Sequence, residues 1–194
     1  QNTYHLGETM TGAVMALDNV LAIFLLPVFG MLSDKVHTKL GRRMPFIVVG
    51  TILAVIFMMM LPMIDNAEKA RWVTGGSFSN QVFFLGVLFL TLVSMGLYRS
   101  PAVALMPDVT PNHLRSRANA VINLMGAVGG VYALIMIKVL VGKGETPDYL
   151  PLFASIAAVM AIAVGILVIT IRENKLREEV EKAEAANADT IEEK

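Results

Sequence analysis

The 194-residue chain contains no cysteine. That absence excludes disulfides, thiolate chemistry and cysteine-held metal, and it leaves the redox compartment open. Charge is scarce as well: Asp, Glu, Lys and Arg make up 16% of residues, against about 25% in soluble domains. The 16 basic and 16 acidic residues cancel, so no excess of one sign points to nucleic acid or an acidic partner. The three histidines, His5, His37 and His113, are scattered through polar segments, too far apart for a metal site. There is no His-Glu-x-x-His, no glycine-rich phosphate loop ending in Gly-Lys-Ser/Thr and no nucleophile elbow. No enzyme activity, metal or cofactor is expected. A basic n-region with a cleavage site is missing, so no signal peptide is expected. The chain opens on Gln1 rather than Met, and is expected to be a piece of a longer protein.

What is abundant is apolar side chain, 55% of residues, with a mean hydropathy of +0.62. The charges are confined to short islands and to the tail beyond Ile171. That pattern predicts an all-α, multi-pass membrane protein. Five runs, at 10–32, 44–64, 82–106, 118–141 and 150–171, can each cross roughly 30 Å of hydrocarbon as a helix rising about 1.5 Å per residue. The runs are continuous, without the alternation of barrel strands, and a helix satisfies its own backbone in lipid. Residues 1–9 are read as an outer segment. Residues 172–194, rich in Glu, Lys and Ala, are read as a solvated linker helix with pairs such as Arg177 with Glu181.

Basic residues orient the chain. Ser33–Arg43 carries Lys35, Lys39, Arg42 and Arg43, Pro107–Arg117 carries Arg115 and Arg117, and the tail adds Arg172, Lys175 and Arg177. These segments share one side, which the positive-inside rule makes cytoplasmic. The opposite loops hold Lys69, Arg71 and Lys143, diluted by Asp65, Glu68, Glu145 and Asp148. The N-terminus is therefore expected outside and the C-terminus inside a plasma or inner membrane, with Trp72 and Tyr149 near the outer boundary. Pro27, Pro62 and Pro101 lie within or near the ends of runs, where neighbouring helices can cover the freed carbonyls.

Several polar residues fall inside the runs. Asp18 lies about 12 Å into the bilayer, where a carboxylate must face the bundle interior and find a partner or a proton. Two readings stand for it: proton coupling or binding of substrate hydroxyls, and a structural carboxylate capped by Asn19 or a neighbouring helix. Arg99 lies roughly 10 Å from the cytoplasmic boundary. It is read either as functional or as a snorkelling, helix-bracing residue. Asn119, Asn123, Gly126 and Gly130 share one helical face. Close helix packing on the small residues and a polar path lined by the asparagines both fit. Thr91, Ser94 and Tyr98 make a weaker stripe, on which the Tyr98 ring either takes part in solute binding or packs between helices. Lys138 is expected to snorkel at the outer end, and the 13 methionines to face lipid or fill gaps.

The densest polar island is "GMLSDKVHTKLGRRMPF", from Gly30 to Phe46. Topology alone accounts for Lys35, Lys39 and the arginines, but not for Asp34 or for Gly30 four residues before it. A carboxylate and a guanidinium pair at a helix–loop–helix boundary can latch helix ends through charge-assisted hydrogen bonds. The set Gly30, Asp34, Lys35, Gly41, Arg42 and Arg43 resembles the signature of the major facilitator superfamily between its second and third helices. The inserted "HTKL" and the following Pro-Phe-Ile resemble the sucrose-transporter and glycoside–cation symporter branch. A second stretch, "YRSPAVALMPDVTPNHLRSRANAVINLMGAVGG" from Tyr98 to Gly130, is similar to bacterial members of the same kind.

The resemblance covers nearly the whole chain. It implies that the five runs are helices two to six of a twelve-helix carrier, with the first helix and the C-terminal half as missing partners of the same protein. It implies proton- or cation-coupled symport of a small solute, a sugar or glycoside, by alternating access between the halves. By match, Asp34 would brace its helix against the C-terminal half in the outward-open state, with Arg42 or Arg43, Asp108 and Arg115 completing a cytoplasmic charge cluster. Arg99 matches an arginine tied to proton coupling in the family. The rival readings are the same fold moving a drug or organic acid, and a stand-alone membrane interaction protein of five helices.

Overall fold

The computed structural model describes residues 8–71, 78–141 and 147–192. The described residues form six α-helices: α1 (Glu8–Lys35), α2 (Met44–Arg71), α3 (Phe78–Asp108), α4 (Arg115–Leu140), α5 (Leu150–Thr170) and α6 (Glu173–Glu192), with a 3₁₀ turn at Asn112–Leu114 before α4. No strand occurs among the described residues. The five apolar runs are the cores of α1 to α5; α1, α2 and α3 outrun theirs at one or both ends, α4 begins three residues early, and α5 matches its run to within one residue. α2, for example, continues seven residues past Ile64 to Arg71. Backbone hydrogen bonding carries a helix on into the interface, which a hydropathy boundary does not register.

Four stretches among the described residues are long and apolar enough to cross a membrane: Met44–Ala67, Val82–Asp108, Asn112–Leu140 and Leu150–Thr170. α1 has the length, 28 residues or about 42 Å. The side chains of Met10 to Thr11, Ala13 to Met15 and Asp18 lie outside the described residues, as does Trp72.

α2 is the hub. It packs along α3 on one side and α5 on the other, and α3 also packs on α1. Gly50 sets the closest approach. A Cβ there would stand 2.8 Å from the Tyr98 backbone nitrogen and 2.9 Å from the Tyr98 Cβ, so only glycine lets α2 and α3 approach this closely. At Gly30 a Cβ would meet Ser100 Oγ at 3.3 Å. That hydroxyl donates across helices to the Leu26 carbonyl at 2.7 Å, tying α3 to α1.

Met44, Ile47 and Leu105 form a buried cluster, flanked by Ala102, Val109, Val164, Leu167 and Ile171. These residues come from the start of α2 and the ends of α3 and α5, so the apolar plug lies at one end of the bundle. α4 contacts α3 and α5 but buries none of its residues.

Candidate functional site

Three charged residues of the Ser33–Arg43 stretch, Asp34, Arg42 and Arg43, gather at the end of the bundle that holds the apolar plug. The loop closes on itself first. Thr38 and Gly41 exchange backbone hydrogen bonds at 3.2 and 3.1 Å, and the Thr38 hydroxyl donates to the Gly41 carbonyl at 2.6 Å. Gly41 adopts φ +123°, a conformation that side chains with a Cβ rarely enter. This corner delivers Arg42 and Arg43 to the start of α2.

Arg43 is the centre of the site. Its side chain is 9% exposed and reaches two carboxylates on two other helices. Nε donates to Asp108 Oδ2 of α3 at 2.6 Å, and a terminal nitrogen lies 3.2 Å from Asp34 Oδ1 of α1. Arg42 adds a second bond to Asp108 Oδ2 at 3.3 Å. Asp34 stays half exposed, at 50%, while Asp108 is 21% exposed. Charge-assisted bonds of this kind are roughly twice as strong as neutral ones, and here they join three helix ends.

A third carboxylate enters from the far end of the chain. Glu173, at the first turn of α6, is 1% exposed and accepts hydrogen bonds from the backbone amides of Arg42, Arg43 and Met44. The cluster thus holds two guanidinium groups and three carboxylates. The surplus negative charge meets the N-terminus of α2, which carries about half a positive charge from its aligned peptide dipoles. Sequence reasoning placed Glu173 in a linker without chemistry. Its one visible signal is a carboxylate two residues past the end of an apolar run, and that does not reveal a partner some 130 residues away.

The remaining expected site residues are distributed as follows. Arg115 does not join the cluster. Its guanidinium donates to the carbonyls of Thr110 and Pro107 at 3.3 and 3.1 Å and pairs at 3.8 Å with Glu184 of α6. It staples the α3–α4 turn because the 3₁₀ turn at 112–114 carries it past Asp108. Arg99 is exposed and makes no ion pair among the described residues. Asp18 lies on α1 with its side chain outside the described residues, so no contact between the two is defined. Thr91 and Ser94 are buried, but their hydroxyls donate to the Val87 and Leu90 carbonyls of their own helix at 2.8 Å. Tyr98 is half-buried against Gly50. Asn119, Asn123, Gly126 and Gly130 are all exposed on α4, and a Cβ at either glycine would meet nothing within 4 Å.

The opposite end of the bundle has its own fastening. Lys69 of α2 is 2.6 Å from Asp65, donates to the Pro147 carbonyl at 2.6 Å, and lies 5.4 Å from the centre of the Tyr149 ring. Asn66 donates to Asp148 Oδ1 at 2.9 Å, which also accepts the Leu150 amide at 2.9 Å. These two hydrogen bonds, the Asn66 amide first, hold the Asp148 carboxyl below the usual aspartate range, and the Lys69 charge adds to the effect.

Comparison with known proteins follows the same outline. The family model described as Major Facilitator Superfamily matches residues 1–192. Sucrose transport protein SUT3 of Oryza sativa subsp. japonica is 26% identical over 137 residues, covering 66% of this chain and 27% of that protein. Sucrose transport protein SUC4 of Arabidopsis thaliana is 35% identical over 117 residues, covering 56% of this chain and 22% of that protein. Sucrose transport protein SUC3 of the same plant is 28% identical over 120 residues, or 58% and 20%. The chain therefore spans about a quarter of the length of these relatives. No solved structure matches it significantly.

Proposed function

Because the chain belongs to the major facilitator superfamily, we propose that it is part of the N-terminal half of a secondary active sugar carrier, with sucrose or a related glycoside as solute and a proton as coupling ion. The observation that carries this reading is the Arg43 cluster, in which one guanidinium holds Asp34 and Asp108 together at the ends of α1, α2 and α3. A bundle that rocks as a unit needs its helix ends locked to one another, and buried charge-assisted bonds supply that without closing a path between the helices. The similarity to sucrose transport proteins supports the sugar assignment.

In this reading the cluster faces the cytoplasm. Asp34 is its half-exposed member and the one free to engage the other half of the carrier. Arg42, Arg43 and Asp108 are its fixed members. The exposed faces of α1 and α4, the latter with Asn119 and Asn123, are the surfaces against which the first helix and the second half would sit. Asp18, Tyr98 and Arg99 remain candidates for solute binding or proton transfer. Uptake of labelled sucrose by the full natural chain in proteoliposomes, under an inward proton gradient, tests the proposal. Uptake that an uncoupler abolishes is the expected result. Uptake indifferent to the uncoupler would remove proton coupling. No uptake of any saccharide by the folded protein would remove the sugar, in favour of another small solute.

A further inference from the structure

Glu173 has a geometry that a linker residue does not need. Its carboxylate accepts the Arg42 amide at 2.9 Å and the Arg43 amide at 3.2 Å on Oε1, and the Arg43 and Met44 amides at 3.1 Å each on Oε2. These are orphan donors of the kind every helix N-terminus carries, normally capped by a residue immediately before the helix. Here the cap arrives from 129 to 131 residues away in sequence. Space is made for it at Gly41, where a Cβ would collide with the Glu173 side chain. Asn174 holds the same junction, donating to the Thr38 and Lys39 carbonyls at 3.3 Å.

The three capped residues include Arg43, whose side chain spans Asp34 and Asp108. A guanidinium fork makes directional bonds, so its reach to two helices depends on where its own backbone is held. We propose that Glu173 is a positioning residue of the latch: by capping α2 from the α5–α6 junction, it fixes the Arg43 backbone so that the guanidinium meets Asp34 and Asp108 together. The role of Glu173 in transport rests on the carrier reading; its action on the α2 N-terminus does not.

The test uses the full natural chain in lipid nanodiscs and measures amide hydrogen exchange. Glu173→Gln should speed exchange at Arg43 and Met44 at least about tenfold, the loss expected of a charged cap worth about 1.4 kcal/mol or more. Glu178→Gln, which removes an exposed carboxylate of the same helix, should leave both amides unchanged. Unchanged exchange in Glu173→Gln would overturn the proposal, whether or not the protein moves sugar. The second readout is non-additivity in thermal unfolding. If Glu173 acts through Arg43, Glu173→Gln combined with Asp108→Asn should lose clearly less than the sum of the two single losses, because the cap is still lost but the Arg43–Asp108 bond that it positions is lost only once. Full additivity would reduce Glu173 to general structural support and overturn the positioning role. Should Glu173→Gln not fold, the same exchange is read with Lys39→Cys and Asn174→Cys joined by a short thiol cross-linker, these 194 residues having no cysteine of their own and any elsewhere in the full chain being replaced by serine. Glu173→Gln must then still expose the two amides.

Discussion

At the scale of single residues, two substitutions separate shape from polarity. Gly41 carries both a positive φ and the contact with Glu173. Gly41→Ala meets backbone strain of order 1–3 kcal/mol and displaces the capping carboxylate. A loss of about 3 kcal/mol in thermal unfolding, followed by circular dichroism in detergent, is expected. A variant as stable as wild type would mean that the corner is not held as described. Thr51 has the opposite outcome. It is 4% exposed, and its hydroxyl has no hydrogen-bond partner among the described residues. A buried hydroxyl left unpaired costs about 1–3 kcal/mol, and valine has nearly the same shape. Thr51→Val should therefore raise stability by about 1 kcal/mol in the same assay, and a destabilised variant would reveal an unrecognised partner for the hydroxyl.

At the scale of elements, α2 and α5 are fastened at both ends. Glu173 joins them at the latch end, and Lys69 and Asn66 join them at the other. The Asp148 carboxyl is depressed, by the Asn66 amide above all, so its contribution is complete above the unfolded aspartate pKa of about 3.9 and is lost as pH falls through its lower folded value. Acidification below pH 4 should open the Pro147–Leu150 segment, read as faster exchange at the Leu150 amide. Asn66→Ala, which removes the leading cause of the depression, should bring that opening to a higher pH. An unshifted exchange profile in Asn66→Ala would show that this hydrogen bond does not hold α5. The linker helix follows local rules by contrast: Arg177–Glu181 and Glu178–Lys182 pair at 3.0 and 2.6 Å one turn apart, contacts that an i, i+4 reading anticipates.

At the scale of the whole molecule, the arrangement separates fixed contacts from free ones. Arg43, Asp108 and Glu173 are held by partners inside the bundle, whereas Asp34 keeps half its surface exposed. Asp34→Asn should therefore leave membrane insertion intact and cut the uptake rate of the full natural chain at least tenfold; uptake at the wild-type rate would remove Asp34 from the transport cycle. The sequence by itself determined the helices, because long apolar runs in lipid have no other way to satisfy their backbones, and it determined the composition of the Gly30–Phe46 island, because charges cannot stay in hydrocarbon. It also placed Asp34, Arg43 and Asp108 at one end of the bundle, since successive spans alternate in direction and every second loop therefore falls on the same side. Only the tertiary structure decided which charges meet. Arg115 turned to the carbonyls of its own loop and to Glu184, since a few residues of 3₁₀ turn moved it beyond the reach of Asp108. Glu173 became the cap of a helix from the other end of the chain, because its partners are backbone amides, which every residue but proline carries and no sequence pattern marks.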